Sequence, residues 1–405
     1  MTDPLAFTSR RSPVLGRRGM VAASQPLAVQ AGLEVLAQGG TAADGAVAAA
    51  AALGVTEPTS NGMGGDAFAM FYEASGRRVT ALNGSGRAPH RLSLELLADQ
   101  GFGGELPPFH AHTVTVPGVC GAWCDLLERH GRLPRANVLA PAIRLAEEGF
   151  PVAPITAYFW GRGLERQLRS APGGLELSIA GRAPQPGEIF RNPGLARTLR
   201  AVAEGGPAAF YQGEIARSIA SAVQGAGGVL DEGDLAGHRS TWDEPISTVY
   251  RGVRVWECPP NGQGLVALLA LNILEGLPVA RHPALGPRRL HLLTEALRLA
   301  FADAARFVAD PAFVPAPLER LLAPEYGAAR REQIQPGRAA RRVGPGLDPQ
   351  GSDTVYLSVV DGEGNACSFI QSNYMGFGTG IVPRGWGFSL QNRGHNFRLD
   401  PSHPN

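Results

Sequence analysis

The chain has 405 residues, 44% of them hydrophobic, enough for a large buried core, and its length suits two or three domains or one large α/β unit. Its 37 basic and 36 acidic residues nearly cancel to a net charge of +1, without a long run of like charge, so the electrostatic footprint of a nucleic-acid binder is missing. Every basic residue is Arg and none is Lys, which excludes a Lys Schiff base, a P-loop lysine and a Ser–Lys dyad.

Near the N-terminus, Arg10-Arg11 and Arg17-Arg18 raise the question of a twin-arginine signal. The following MVAASQPLAVQAGLEVLAQGG answers it, because Gln and Glu interleave with apolar residues at helical spacing and leave no uninterrupted apolar stretch. No window approaches a membrane span, so the chain reads as soluble and cytoplasmic, without a membrane partner. Residues 25–38 are expected to form a helix closed by Gly39-Gly40, and Thr41 with Asp44 resembles a capping box for the next helix, DGAVAAAAALGV. The Gly-rich loop EPTSNGMGGDAF follows, then two strands around Ser75-Gly76. A phosphate-binding reading of NGMGGDAF fails, because its flanks do not give strand–loop–helix order and Lys is absent.

A helix is expected from Pro117 through GVCGAWCDLLERHG, and another in APAIRLAEEGF, ending at Gly149. Cys120 and Cys124 lie one helical turn apart and read as core thiols. The four Cys include no CxxC and the nine His no HExxH, so neither a metal nor an organic cofactor is implied, and the compartment is taken as reducing. Further on, TVYRGVRVWECPP reads as a strand pair, GLVALLALNILEGL as a buried helix and HLLTEALRLAFADAARFVADP as a long amphipathic helix, with CPPNGQG a turn near the active site. Residues 325–353, rich in Arg, Gly and Pro, read as an exposed linker. The pattern then changes to two apolar strands, TVYLSVVDGEGNACSFIQSNY, turning at Asp361–Asn365, and to the Gly-rich GFGTGIVPRGWGF.

Thr354 stands where the linker meets the first of these strands, and strands favour Thr for packing reasons alone. A Thr hydroxyl is a poor nucleophile that needs a base. Cleavage of the Asp353–Thr354 bond would supply one: the new α-amine, with an ordinary pKa of about 7.7–8.0, suits neutral pH. Slack before the scissile bond is what such a mechanism requires.

These segments bear a specific resemblance to the γ-glutamyltransferase family of N-terminal-nucleophile (Ntn) hydrolases over nearly the whole chain. Its carriers are GMVAASQPLAVQAGLEVLAQGGTAADGAVAAAAALGVTEPTSNGMGGDAF, TVPG at 115–118, APAIRLAEEGFPV, FYQGEIA, ADAARFVADPAFV, and DTVYLSVVDGEGNACSF followed by GFGTGIV. The resemblance implies an α+β fold, a four-layer αββα sandwich, and autoproteolysis into a large chain, residues 1–353, and a small chain beginning at Thr354. It implies a small-molecule acyl-amide donor and water or an amine as acceptor. By position, Ser372 matches a hydroxyl that supports the nucleophile's amine, and Asn373, after a one-residue shift, a donor-contacting Asn.

The substrate pocket departs from the family. Where an Arg grips the donor's α-carboxylate the chain has Ser85, with Arg87 two residues on, able to substitute if that segment is a strand. Arg393 and Asn396 replace a Gln and an Asp, the latter pairing with the donor's α-ammonium in the family. Breaking a buried ion pair costs roughly 3–5 kcal/mol, so γ-glutamyl donors are disfavoured, and Arg393 without a carboxylate suits glutaryl-like acyl groups, as in cephalosporin acylases. In the family the small chain continues past HPN, so residues 354–405 read as its truncated start and the sandwich as incomplete at the C-terminus. An inactive remnant or unprocessed proenzyme is the competing expectation.

Overall fold

Residues 12–341, 343 and 354–405 are described by a computed structural model. The two apolar segments after Thr354 form an antiparallel hairpin, Val355–Asp361 with Ala366–Ser372, in register from Gln371↔Val355 to Ala366↔Val360. Val355, Leu357 and Val359 are buried whereas Tyr356 is 54% and Val360 41% exposed, the period-two pattern of a sheet with one packed face. Asp361 fixes the turn, accepting the backbone N–H groups of Glu363 and Asn365 on Oδ1 and the Asn365 side-chain amide on Oδ2.

The hairpin lies inside a six-stranded sheet ordered Gly19–Ala22, Val355–Asp361, Ala366–Ser372, Asp66–Glu73, Arg78–Gly84, Thr241–Asp243. The strand Gly19–Ala22 was not expected, because four residues leading straight into a helix carry too little alternation to separate from it. Ser372 faces Asp66 across one strand boundary and Ala67 faces Gly84 across the next.

Helices Pro26–Ala37 and Ala42–Thr56 form as expected. The capping box at Thr41 is present, with Asp44 Oδ2 accepting the Thr41 N–H at 2.8 Å. Asp361 Oδ2 also accepts the Ala42 N–H, tying the hairpin turn to the start of that helix. All residues of Ala42–Thr56 are buried, and their smallness is what allows the helix to lie close to the sheet. A Cβ on Gly45 would meet Val359 Cγ1 at 3.1 Å and Leu36 Cδ2 at 3.2 Å. Gln371, on the packed face of its strand, donates to Ala50 O and Asn61 Oδ1 and so fixes helix, sheet and Gly-rich loop together. Helices Val119–His130 and Arg135–Glu148 also match expectation, the second starting five residues before the segment that announced it and holding Pro141 inside. Cys120 and Cys124 are buried free thiols.

This unit comprises residues 16–242 and 351–400; a second comprises 1–15, 243–350 and 401–405. The structural division therefore does not fall at 353/354, the expected cleavage point, because the strands after Thr354 pair with strands from the beginning of the chain. The second unit is built on Gly264–Leu274 and Pro287–Phe307 with the hairpin Ile246–Tyr250 and Val253–Glu257. The expected linker is corrected in part: Pro324–Arg331 is a helix, and the Arg331 guanidinium donates to the carbonyls of Asn272 and Ile273. Arg331 serves these buried carbonyls, a role that composition alone does not distinguish from exposure. Among the described residues no helix is long and apolar enough to cross a membrane.

Candidate active site

One residue beyond the last Gln371–Val355 pair, Thr354 and Ser372 face each other across neighbouring strands. Thr354 is exposed and its hydroxyl donates to the buried Ser372 Oγ at 3.1 Å. Ser372 Oγ also accepts the Tyr374 N–H at 2.8 Å, so its lone pairs are turned by the backbone of the following loop. Asp353, the other half of the expected scissile bond, lies outside the described residues.

Ser372 in turn faces Asp66, so Thr354, Ser372 and Asp66 form one row across three strands. Opposed residues of an antiparallel pair project from the same face. Here it is the face carrying Tyr356 and Ile370, opposite the helical layer. Asp66 is 3% exposed, and a bare carboxylate at that burial would be costly. Its partner is Arg393, whose Nε donates to Oδ2 at 2.8 Å and Nη2 to Oδ1 at 2.7 Å. This two-pronged geometry suits Arg specifically. The guanidinium also lies over the Tyr374 ring, 4.9 Å from its centroid.

Tyr374 has φ of 77°, a left-handed backbone that a non-Gly residue adopts at a cost of about 1–3 kcal/mol. Three contacts hold it there: its N–H on Ser372, its ring under Arg393, and its hydroxyl donating to Asn396 Oδ1 at 2.7 Å. Burial pushes the phenol above its ordinary range, so it stays a neutral donor. The next residues, Met375–Gly378, are clamped by Gln167, a buried side chain on the π-helical turn Leu164–Leu168. Its Nε2 donates to Met375 O at 2.7 Å and Gly378 O at 2.6 Å.

Several expectations about the pocket are corrected. Arg393 is not a cation without a carboxylate, because Asp66 binds it. Asn373 is 1% exposed, its N–H donating to Ser60 O and its side-chain amide to Ser389 Oγ. The unshifted position, 374, presents Tyr. Asn396 Oδ1 accepts the Tyr374 hydroxyl. The strand ending at Gly84 leaves Ser85–Arg87 in a loop, so the two-residue argument for Arg87 does not apply. The Arg87 side chain is exposed, and its backbone carbonyl accepts the Val116 N–H. Asp66 and Gln167 escaped the sequence reading. The only trace of Asp66 was an acidic residue between Gly-Gly and an apolar strand; Gln167 left none.

The chain matches the Gamma-glutamyltranspeptidase family model over residues 28–405. It is 39% identical to the glutathione hydrolase-like YwrD proenzyme of Bacillus subtilis, over 97% of this chain and 74% of that one. It is 38% identical to the oxamate amidohydrolase proenzyme of Klebsiella pneumoniae, over 95% of this chain and 72% of that protein. The solved cephalosporin acylase of Bacillus halodurans superimposes with a TM-score of 0.90 at 47% identity, covering all of this chain and 75% of the other. The α+β fold class of the Ntn hydrolases is thus the one found, and with it a γ-glutamyltransferase-like amidohydrolase or acyltransferase. The chain belongs to the gamma-glutamyltranspeptidase family.

Proposed function

We propose that the chain cleaves itself between Asp353 and Thr354 and then uses Thr354 as an N-terminal nucleophile on acyl amides. The observation that carries this reading is the 3.1 Å bond from the Thr354 hydroxyl to Ser372 Oγ, at the end of the sheet where the two strands open. In the processing step Thr354 Oγ attacks the Asp353 carbonyl. The C–N bond breaks, the hydroxyl proton passes to the nitrogen, and an ester joins residues 353 and 354. Water hydrolyses the ester, leaving a carboxylate on Asp353 and a free α-amine on Thr354. That amine then takes the Thr354 hydroxyl proton as Oγ attacks the donor amide, and returns it to the leaving amine. Water or another amine resolves the acyl-ester and regenerates the hydroxyl. The two chains stay partnered through the sheet, because the strands after Thr354 lie between Gly19–Ala22 and Asp66–Glu73.

Asn396 favours the acylase reading over γ-glutamyl transfer. It is neutral, its Oδ1 holds the Tyr374 hydroxyl, and the nearby Asp66 is engaged by Arg393. Neither offers a free carboxylate to a donor α-ammonium, so glutaryl-type amides fit better than γ-glutamyl ones. Intact mass and anilide hydrolysis test the reading together. The wild-type chain is expected to split before Thr354 and to hydrolyse an acyl anilide, whereas Thr354→Ala stays whole and inactive. Hydrolysis retained in Thr354→Ala would refute the nucleophile.

A further inference from the structure

We infer that Asp66 is the positioning residue that sets acyl specificity, by holding Arg393 as a hydrogen-bond donor over Tyr374, the residue whose N–H binds Ser372; this rests on the acyl-amide reading above. Asp66 stands in the same cross-strand row as Ser372 and Thr354, and neighbouring strands lie about 4.8 Å apart, so Asp66 is roughly 10 Å of backbone from the nucleophile. The carboxylate is buried, while the Arg393 side chain that it grips is 31% exposed. Asp66 takes Nε and Nη2 of the guanidinium, and Nη1 makes no hydrogen bond among the described residues. The Tyr374 ring limits the guanidinium from a second side.

Charge and geometry together define what such a group selects. The ion pair is close to neutral overall, yet what Arg393 can still present is N–H. An acyl group whose far end is a carboxylate or another acceptor gains a charge-assisted bond there. An ammonium in the same place meets a donor and finds Asp66 already bound. Without Asp66, a long Arg side chain has several rotamers and nothing to keep it over Tyr374. Asp66 touches no reacting atom itself; it acts through Arg393.

The test compares wild type, Asp66→Asn, Asp66→Glu and Arg393→Gln on glutaryl, γ-glutamyl and butyryl anilides, with intact mass for processing. Hydrogen bonds to charged groups contribute about 1.5–3 kcal/mol, so Asp66→Asn and Arg393→Gln should each lower glutaryl kcat/KM about 10- to 100-fold, mostly through KM. Butyryl hydrolysis, which needs no distal donor, should fall several-fold less than glutaryl hydrolysis in the same variants, and Asp66→Glu should recover part of the glutaryl loss. Equal losses on glutaryl and butyryl, or none, would overturn the inference. Thermal shift with free glutarate, butyrate or L-glutamate gives a readout that needs no turnover. Glutarate alone should stabilise wild type, and Arg393→Gln should abolish the effect. If no chain is processed and glutarate still shows this selectivity, the catalytic reading fails while the assignment of Asp66 stands. Glutarate stabilisation unchanged in Arg393→Gln would sink the assignment.

Discussion

Ser372 has two tasks that its position makes inseparable, accepting the Thr354 hydroxyl and accepting the Tyr374 N–H. Ser372→Ala strands a buried N–H at a residue already held at positive φ, a loss of about 1–3 kcal/mol. Processing before Thr354 should therefore slow markedly and the melting temperature should fall. Ser372→Thr keeps the oxygen and should restore most of the rate, followed on a denaturing gel over time. Processing as fast in Ser372→Ala as in wild type would argue against a role for this hydroxyl. Thr354 and Ser372 were singled out by the resemblance to the family, and the hairpin that makes them neighbours was legible because its alternation and turn residues are local. Asp66 was not, since its partner Arg393 is 327 positions away and lies in a turn that reaches it only where the chain returns beside Gly64 at Leu390.

At the scale of elements, the loop after Ser372 is shaped by a helix that the sequence does not connect to it. Gln167 satisfies two loop carbonyls and accepts the Phe377 N–H. Gln167→Leu fills the space but leaves those groups unpaired, so it should cost about 1–3 kcal/mol per stranded group and raise protease sensitivity at 375–378. Limited proteolysis beside a urea titration checks this, and an unaltered cleavage pattern would count against the clamp. Helix Ala42–Thr56 makes the opposite point, because its many small residues announced close packing. Gly45→Val would push on Val359 and Leu36, and overpacking of this kind destabilises by about 1–3 kcal/mol, readable as a lower urea midpoint. The helix Pro324–Arg331 hid within a composition typical of linkers, since its stabilising contacts are Arg331 bonds to carbonyls of another helix.

At the scale of the whole molecule, the buried His238 and the half-buried His130 tie stability to pH. Burial, reinforced by Arg239 and Arg87, pushes His238 down to about 4; burial with Arg129 and Arg78 does the same to His130, also to about 4. His238 Nε2 has no hydrogen-bond partner among the described residues, and its ring lies 4.9 Å from that of Tyr211. Above the ordinary value of 6.5 neither state binds the proton. As pH falls from there toward 4, the unfolded chain binds protons that the folded one refuses, so stability declines, then levels off. For His238 the loss is on the order of 3 kcal/mol, and less for the half-exposed His130. Urea titrations at about pH 7 and about pH 4.5 should show a smaller drop for His238→Gln than for wild type, and an equal drop would refute the assignment. The sequence by itself determined the capping box and the strands of the hairpin, because each depends on neighbours within a few residues, and its resemblance to the family pointed to Thr354 and Ser372. The tertiary structure decided what surrounds Thr354. Asp66 neutralises Arg393, Tyr374 takes the strained position, and Gln167 holds the loop, because these contacts depend on strand register and on chain returns of hundreds of residues.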